Sequence, residues 1–257
     1  MKLTNDVILS KKKWEVLHTR ENLRRNLTSD PTIQSYRQFL ARYKKHWKRG
    51  TVLDLGCGVA FAASVLAKEG AQIVGIDIAE QAVIKSRKLF KERKVKGKFI
   101  QGDLLHLPFR TNSFNFIWSC MSLEYVRDTQ QAVKEAYRVL NKKGTMVAVV
   151  PVVSFTTLTY HQLRGDLPNI PLIKQIMEWF HLKLMKGKFM AYGYEQSFTP
   201  GQLRRLFEGA GFGVNAIDYF PMHYPIAFIP ALVRPFVQSV LRFRPFWPLV
   251  YIETVKP

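Results

Sequence analysis

The feature that most constrains this chain is a series of short apolar segments that alternate with helical patterns. The apolar segments occupy residues 51–55 (TVLDL), 72–76 (QIVGI), 98–101, 114–119 and 144–150. The helical patterns between them occupy residues 59–69, 81–95 and 128–140. Apolar strands that alternate with helices predict a doubly wound, mostly parallel α/β sheet with helices on both faces. Connections in such a sheet are right-handed, and its ligand is expected at the carboxyl ends of the strands.

The flanks of this core have a different character. Residues 1–50 contain 13 Lys and Arg against 4 Asp and Glu and show helical spacing of apolar residues. Beyond residue 151, Thr199 and Gln202 form a capping-box pattern for a helix that ends near Gly209. Two further strands are predicted at residues 211–219 and 249–255. We therefore expect one domain, residues 1–257, with a basic helical region (1–50), a core (51–151) and an acceptor or lid region (152–257).

Charge and cysteine content limit the partners and the compartment. The formal charge is +20, which favours contact with nucleic acid or an anionic membrane, although a solvated basic surface explains it equally well. Cys57 and Cys120 are too few for a disulfide framework or a zinc site, so no metal is expected. No signal peptide is recognisable, and the longest uncharged stretch, residues 145–163, contains Pro151 and reads as a strand entering a loop. These features predict a cytoplasmic protein.

A glycine-rich turn follows the first strand in the sequence VLDLGCGVA. Gly56 and Gly58 allow close approach of a ligand to backbone N–H groups at the start of a helix. Dinucleotides and S-adenosylmethionine are both bound by such turns. The dinucleotide fingerprint requires a small residue at the position that Phe61 occupies here. The pattern fits D-x-G-x-G-x-G better, with Ala60 in place of the last glycine.

Four motifs in order resemble the class I S-adenosylmethionine-dependent methyltransferases. They are residues 54–58 (DLGCG), residues 74–77 (VGID), residues 102–109 (GDLLHLPF) and residues 138–144 (RVLNKKG). The resemblance covers residues 51–151 well and residues 197–212 more weakly. It is strongest to the branch of quinone-biosynthesis and other small-molecule enzymes, often called type 11 methyltransferases. It implies a seven-stranded Rossmann-like sheet, S-adenosyl-L-methionine as cofactor and methyl transfer as the reaction.

The resemblance also implies a set of cofactor-binding residues. They are Asp54, Gly56, Cys57, Gly58, Asp77, Ile78, Asp103, Leu104 and Ser119. Asp77 is expected to accept hydrogen bonds from both ribose hydroxyls, and Asp103 is expected to accept one from the adenine amino group. Asp54 is expected to balance the charge of the ammonium group of the cofactor. Any one of these acids alone would more often have a turn or cap role. Three at the carboxyl ends of successive strands favour one shared pocket.

The sequence departs from the family pattern at several positions. Asn115 replaces a usual aspartate, and Lys143 with Gly144 replaces a glycine pair. Tyr125 stands where many relatives carry histidine, which puts a histidine-based proton transfer there in doubt. A catalytic base is needed only for acceptors that keep their proton until the transition state. The candidates for that role are Tyr125, His161 and His223, with Glu124, His181, Tyr192 and Tyr194 as weaker ones.

Three functions remain open at this point. The first is methyl transfer to a small, lipophilic acceptor such as a quinone precursor, an isoprenoid or a lipid headgroup. It is favoured by the apolar segment 220–248, which suits an acceptor lid or an anchor at a membrane surface. The second is RNA methylation, favoured by the charge but by no RNA-binding motif. The third is a cofactor-binding regulator without activity. Trp14 and its neighbours are expected to close over the cofactor.

Overall fold

The computed structural model describes residues 11, 14–15, 17–19, 30–155, 164–166, 194–220, 232–240 and 243–257. The candidate residues His161, His181, Tyr192 and His223 lie outside these ranges.

Seven strands form the central sheet in the order β3-β2-β1-β4-β5-β9-β8. Their bounds are β1 Thr51–Leu55, β2 Gln72–Asp77, β3 Gly97–Gln101, β4 Phe114–Cys120, β5 Leu140–Pro151, β8 Gly213–Tyr219 and β9 Leu249–Val255. Strands β1 to β5 pair in parallel, and β9 runs antiparallel to both of its neighbours, β5 and β8. The expected doubly wound, mostly parallel α/β sheet is confirmed.

Helices cover both faces of this sheet because its strands are apolar on both sides. The described helices are α1 Pro31–Ala41, α2 Lys44–Trp47, α3 Phe61–Lys68, α4 Glu80–Glu92, α5 Thr129–Val139, α6 Pro200–Glu208 and α7 Arg234–Val240. Residues of α1, α3 and α4 pack with Val52, Phe116 and Trp118 on one face. Residues of α5 and α6 pack with Leu53 and Ile117 on the other. This burial on both faces is the chief stabilising contribution to the fold.

Most element boundaries agree with the sequence to within three residues, and two differences have clear causes. Helix α3 begins at Phe61 rather than residue 59, because Ala60 adopts a left-handed conformation (φ 59°) that helical residues do not use. Strand β5 begins at Leu140, four residues early, because Leu140 pairs with Phe114 ahead of a register shift. The predicted capping box of α6 is present at Thr199 and Gln202.

A second, two-stranded sheet was not expected from the sequence. It pairs β6 (Arg164–Asp166) with β7 (Tyr194–Gln196) in antiparallel fashion. Strand β7 lies against the 3₁₀ turn Leu123–Tyr125 that follows β4. Within the described residues, no helix has both the length and the apolar character needed to cross a bilayer.

Candidate active site

The glycine turn at the carboxyl end of β1 is held by its neighbour strand. The N–H groups of Gly56 and Cys57 both donate to the carbonyl of Ile76, at 2.9 and 3.0 Å. Gly56 and Gly58 have positive φ angles of 71° and 51°, which residues with side chains adopt only under strain. Glycine is therefore favoured at both positions, and the turn presents its backbone toward the end of the sheet.

Ser122 locks this turn to the end of β4. Its hydroxyl donates to the carbonyl of Gly56 at 3.1 Å, and a side chain added at Gly56 would overlap that hydroxyl. The sequence motifs did not identify Ser122, because no pattern in one strand reports which residue of another strand fills the space beside a glycine. Ser122 positions the turn rather than lining a pocket by itself.

Asp77 ends β2 with a buried carboxylate. One oxygen accepts the N–H of Gly58 at 2.8 Å and the other accepts the N–H of Ala79 at 2.9 Å. Burial raises the pKa of Asp77, while nearby His18 and the two N–H donors act to lower it. Each carboxylate oxygen has further lone pairs, so these contacts orient Asp77 and leave it able to accept hydroxyl donors.

Asp54, on β1, is a buried acid near a second one. Burial, with the charge of Asp77 as a smaller cause, raises the pKa of Asp54 to about 8. Asp54 is only 4% exposed. A buried acid in this state is stabilised strongly by a cation placed beside it.

The loop after β3 carries Asp103 and Leu104. The Asp103 carboxylate accepts the N–H of Leu105 at 2.9 Å in an Asx-type turn, and the side chain of Leu104 is buried. The strand end itself is tied to β2, because the N–H of Gly102 donates to the carbonyl of Asp77 at 2.9 Å. A backbone hydrogen bond thus joins the strand end that carries Asp77 to the loop that carries Asp103.

Arg138 and Glu135, on α5, hold the following part of this loop. The guanidinium of Arg138 donates to the carbonyls of Phe109 and Leu107, at 2.7 and 2.9 Å. It also pairs with both oxygens of Glu135, and Glu135 accepts the N–H of Leu107 at 2.8 Å. These bonds lower the pKa of Glu135. The motif that begins at Arg138 therefore has a concrete role, whereas Glu135 was not identified from the sequence.

Three other expected site residues, Cys57, Ile78 and Ser119, lie in different surroundings. The thiol of Cys57 packs into the core beside Ser86 and Gly75, so its backbone alone faces the turn. Ile78 is partly exposed next to Asp77, and its carbonyl accepts from the side chain of Gln101 at 3.0 Å. Ser119 is buried one residue past Trp118 and so lies on the sheet face opposite to Asp54.

An N-terminal helical segment, of which Trp14, Glu15 and residues 17–19 are described, lies across the strand ends. The carboxylate of Glu15 accepts the N–H groups of Glu80 and Gln81, at 2.6 and 2.9 Å, and so caps α4. The His18 ring lies 3.3 Å from where a side-chain carbon on Gly58 would be. These contacts place the described residues of this segment beside the glycine turn and the start of α4, and closure of Trp14 and its neighbours over the cofactor stays a prediction.

The turn after β4 borders the same edge. Glu124 is fully buried, and its charge raises the pKa of the neighbouring Cys120 thiol alongside the larger effect of burial. Tyr125 is half-buried, with its ring 4.7 Å from that of Trp14 in an edge-to-face contact. Ser119, Glu124 and Tyr125 thus place polar groups around the end of β4.

Comparisons with known proteins agree on one family. A family model described as a methyltransferase domain matches residues 53–148. The demethylmenaquinone methyltransferase of Listeria welshimeri is 31% identical over 182 residues, which cover 64% of this chain and 71% of that protein. The chain belongs to the class I S-adenosylmethionine-dependent methyltransferases.

One further relative and one solved structure are also similar to this chain. A 2-methyl-6-phytyl-1,4-hydroquinone methyltransferase of Synechocystis is 30% identical over 133 residues, covering 51% of this chain and 40% of that protein. The magnesium protoporphyrin IX methyltransferase of Synechocystis, solved with bound S-adenosylhomocysteine, has a TM-score of 0.61 at 14% identity. That structure covers 98% of this chain and 100% of its own, and it shows the shared fold.

This methyltransferase uses S-adenosylmethionine as cofactor, and its residues fit that molecule. The cofactor carries an ammonium, a sulfonium, a ribose diol and an adenine. Asp54 is a buried acid with a raised pKa, which a cation would satisfy. Asp77 and Asp103 are held at adjacent strand ends with acceptor capacity remaining. The cofactor supplies an electrophilic methyl group, and the protein orients it toward the acceptor.

Proposed function

We propose that this methyltransferase acts on a small, lipophilic acceptor of the hydroquinone class. The observation that carries the proposal is its similarity to two enzymes whose names specify such acceptors, demethylmenaquinone and a phytyl-substituted hydroquinone.

We assign the cofactor contacts as follows. Asp54 pairs with the ammonium group, the turn from Gly56 to Gly58 lies along the methionine portion, and Asp77 accepts the ribose hydroxyls. Ile78 packs against the adenine, whose amino group donates to Asp103 and whose ring nitrogen accepts from the N–H of Leu104. The burial and hydrogen bonds of these residues support the assignment.

The reaction balances without a metal or an oxidant. The bond between the sulfur and the methyl carbon breaks, and the sulfur keeps the electron pair as a neutral thioether. A nucleophilic atom of the acceptor forms the new bond and releases one proton. Among the described candidates, Tyr125 and Glu124 follow β4 where the acceptor would approach, so we assign Tyr125 to contact the acceptor hydroxyl and Glu124 to position the turn. His161 and His223 lie outside the described residues.

One group of exposed basic residues does not favour RNA as the acceptor. Seven exposed bases lie beside the amino ends of β1, β3 and β5, which we call the basic edge: Lys48, Arg49, Lys94, Lys96, Lys98, Lys142 and Lys143. The glycine turn, Gly56 to Gly58, lies at the opposite end of this sheet, where the carboxyl ends of the parallel strands are. A nucleic-acid footprint built on the basic edge would lie away from the methyl donor.

Methyl transfer with labelled cofactor tests this function. Purified enzyme is incubated with radiolabelled S-adenosylmethionine and, separately, a short-chain demethylmenaquinol and unmodified tRNA. We expect label in the quinol and none above background in the tRNA. Tyr125→Phe should lower kcat at least tenfold with little change in KM for the cofactor. Label in tRNA, or in neither acceptor, would contradict the hydroquinone assignment.

A further inference from the structure

Large apolar side chains are exposed near the end of the chain, in a composition that lacks acidic residues. Residues 220–252 contain Arg234, Arg242 and Arg244 and no Asp or Glu. Leu232 is 93% exposed, Phe236 69%, Phe243 63% and Phe155 62%. Together with Phe246, these residues form what we call the aromatic patch. Exposed apolar groups of this kind mark a binding surface rather than ordinary protein exterior.

Local contacts hold the two parts of the patch together. The ring of Phe155 lies 5.5 Å from that of Phe246, and the hydroxyl of Ser154 donates to the carbonyl of Trp247 at 2.6 Å. The N–H of Phe243 donates to the carbonyl of Val240, the last residue of α7. The exposed rings therefore belong to connected, hydrogen-bonded segments.

The aromatic patch lies at the same edge of the sheet as the glycine turn. Residues 152–155 continue from the carboxyl end of β5, which runs parallel to β4 and so to β1. Residues 244–248 lead into β9, whose first residue, Leu249, pairs with Pro151. The basic edge lies at the other end of these strands.

We propose that the aromatic patch docks this enzyme on the surface of an anionic phospholipid bilayer. Phenylalanine and leucine side chains bury in the boundary between headgroups and acyl chains, and the exposed Arg244, in a stretch of sequence without acidic residues, contacts lipid phosphates. The proposal rests on the proposed function, because this orientation brings the cofactor edge to the membrane that holds a lipophilic acceptor. The acceptor would then reach the site without crossing water.

Vesicle sedimentation tests the docking directly. Unilamellar vesicles of phosphatidylcholine with about 30% phosphatidylglycerol are mixed with the full chain and pelleted. We expect Phe236→Ser/Phe243→Ser to bind at least tenfold more weakly than the wild type. Ile84→Ser is the matched control, since Ile84 is an exposed apolar residue on α4, and it should change binding less than twofold. Circular dichroism and thermal unfolding confirm that each variant is folded.

Salt and size measurements separate the rival explanations. Binding through buried aromatic rings should weaken no more than about fivefold in 0.5 M salt, because apolar burial is not screened and only the contact of Arg244 with phosphate is. Binding that disappears in salt and is unaffected by the phenylalanine substitutions would overturn the proposal in favour of the basic edge. A lipid-free dimer that the same substitutions dissociate would instead assign the patch to a second copy of this chain.

A parallel assay distinguishes failure of the docking from failure of the function. Wild type and the phenylalanine variant are both assayed on a soluble short-chain hydroquinone and on a long-chain prenyl hydroquinone in vesicles. We expect equal rates on the first and a loss of at least tenfold on the second for the variant. Vesicle binding without any quinol methylation would refute the proposed function alone. Quinol methylation without vesicle binding would refute the docking alone.

Discussion

The two ends of the parallel strands in this enzyme carry their charge in opposite ways. At the carboxyl ends, Asp54 and Asp77 are buried acids, and the pKa of each is raised mainly by burial. At the amino ends, exposed lysines and arginines form the basic edge, and water screens them. The basic edge therefore lies at the ends of the strands farther from the chemistry. The two buried acids therefore say more about the cofactor site than the many exposed bases do.

The largest expected effect of this contrast is on cofactor binding. Asp54→Asn should weaken binding of S-adenosylmethionine at least 100-fold, because the ammonium group would lose its buried partner. Titration calorimetry measures this, with Asp218→Asn as the control because Asp218 is an exposed acid on β8. An affinity within threefold of the wild type would show that Asp54 does not face the cofactor.

Stability should show the same dependence on burial. Arg138→Gln removes an ion pair and two hydrogen bonds to loop carbonyls, and it should lower the free energy of unfolding by about 2–4 kcal/mol. Arg204→Gln is the matched control, since Arg204 forms an exposed pair with Glu208 on α6 and should cost about 0.5 kcal/mol or less. If urea unfolding gives the same loss of unfolding free energy for both variants, the partly buried contacts of Arg138 contribute no more than an exposed ion pair.

The raised pKa of Asp54 makes cofactor binding depend on pH. Below a pKa of about 8 the carboxyl is protonated in the free enzyme, and an arriving cation expels that proton. Affinity should therefore rise about tenfold from pH 6 to pH 7, where the cofactor's own amino group, with a pKa of about 8, stays charged. Calorimetry in two buffers of different ionisation enthalpy should report close to one proton released.

The raised pKa of Asp54 also determines how the free energy of unfolding of the cofactor-free enzyme changes with pH. Asp54 binds its proton more tightly in the folded chain than in the unfolded chain, where its pKa is near the ordinary 3.8. Its contribution to the free energy of unfolding is thus fully present at low pH and is lost as pH rises toward about 8. Asp54→Asn should flatten this slope, and an unchanged slope would assign it to other groups.

The smallest effect is expected at the basic edge. The triple variant Lys94→Gln/Lys96→Gln/Lys98→Gln should leave the Kd for the cofactor and kcat for a soluble quinol within twofold of the wild type. All three side chains are exposed beside the amino end of β3, while Asp103 follows its carboxyl end. A larger loss would break the comparison, because it would link the two ends of the strands energetically.

Local patterns predicted the fold and much of the candidate site because both depend on contiguous residues. The apolar strands, the glycine turn and the capping box at Thr199 each follow from neighbouring residues, and the structure contains all three. The contacts of Ser122 with Gly56 and of Glu15 with α4 join residues 66 and 65 positions apart. Such pairs depend on how finished elements pack, and no local pattern encodes them.

The acceptor side was harder to predict for a related reason. The sheet of β6 and β7 joins two three-residue strands that are far apart in the chain, and neither has a strand-length apolar pattern. Glu124 is fully buried although its residue type predicts exposure. Acceptor-binding regions combine irregular segments from several parts of a chain, so their geometry emerges from tertiary structure.

The position of β9 has a consequence for synthesis. Residues 249–255 lie between β5 and β8, and in this sheet β8 pairs with β9 alone. Because β9 follows β8 in the chain, a ribosome must make residues 249–255 before β8 can join the sheet, whereas the strands up to β5 can pair earlier. Strand β8 therefore stays unpaired until its partner has been translated. Removal of residues 249–257 would detach two strands rather than one.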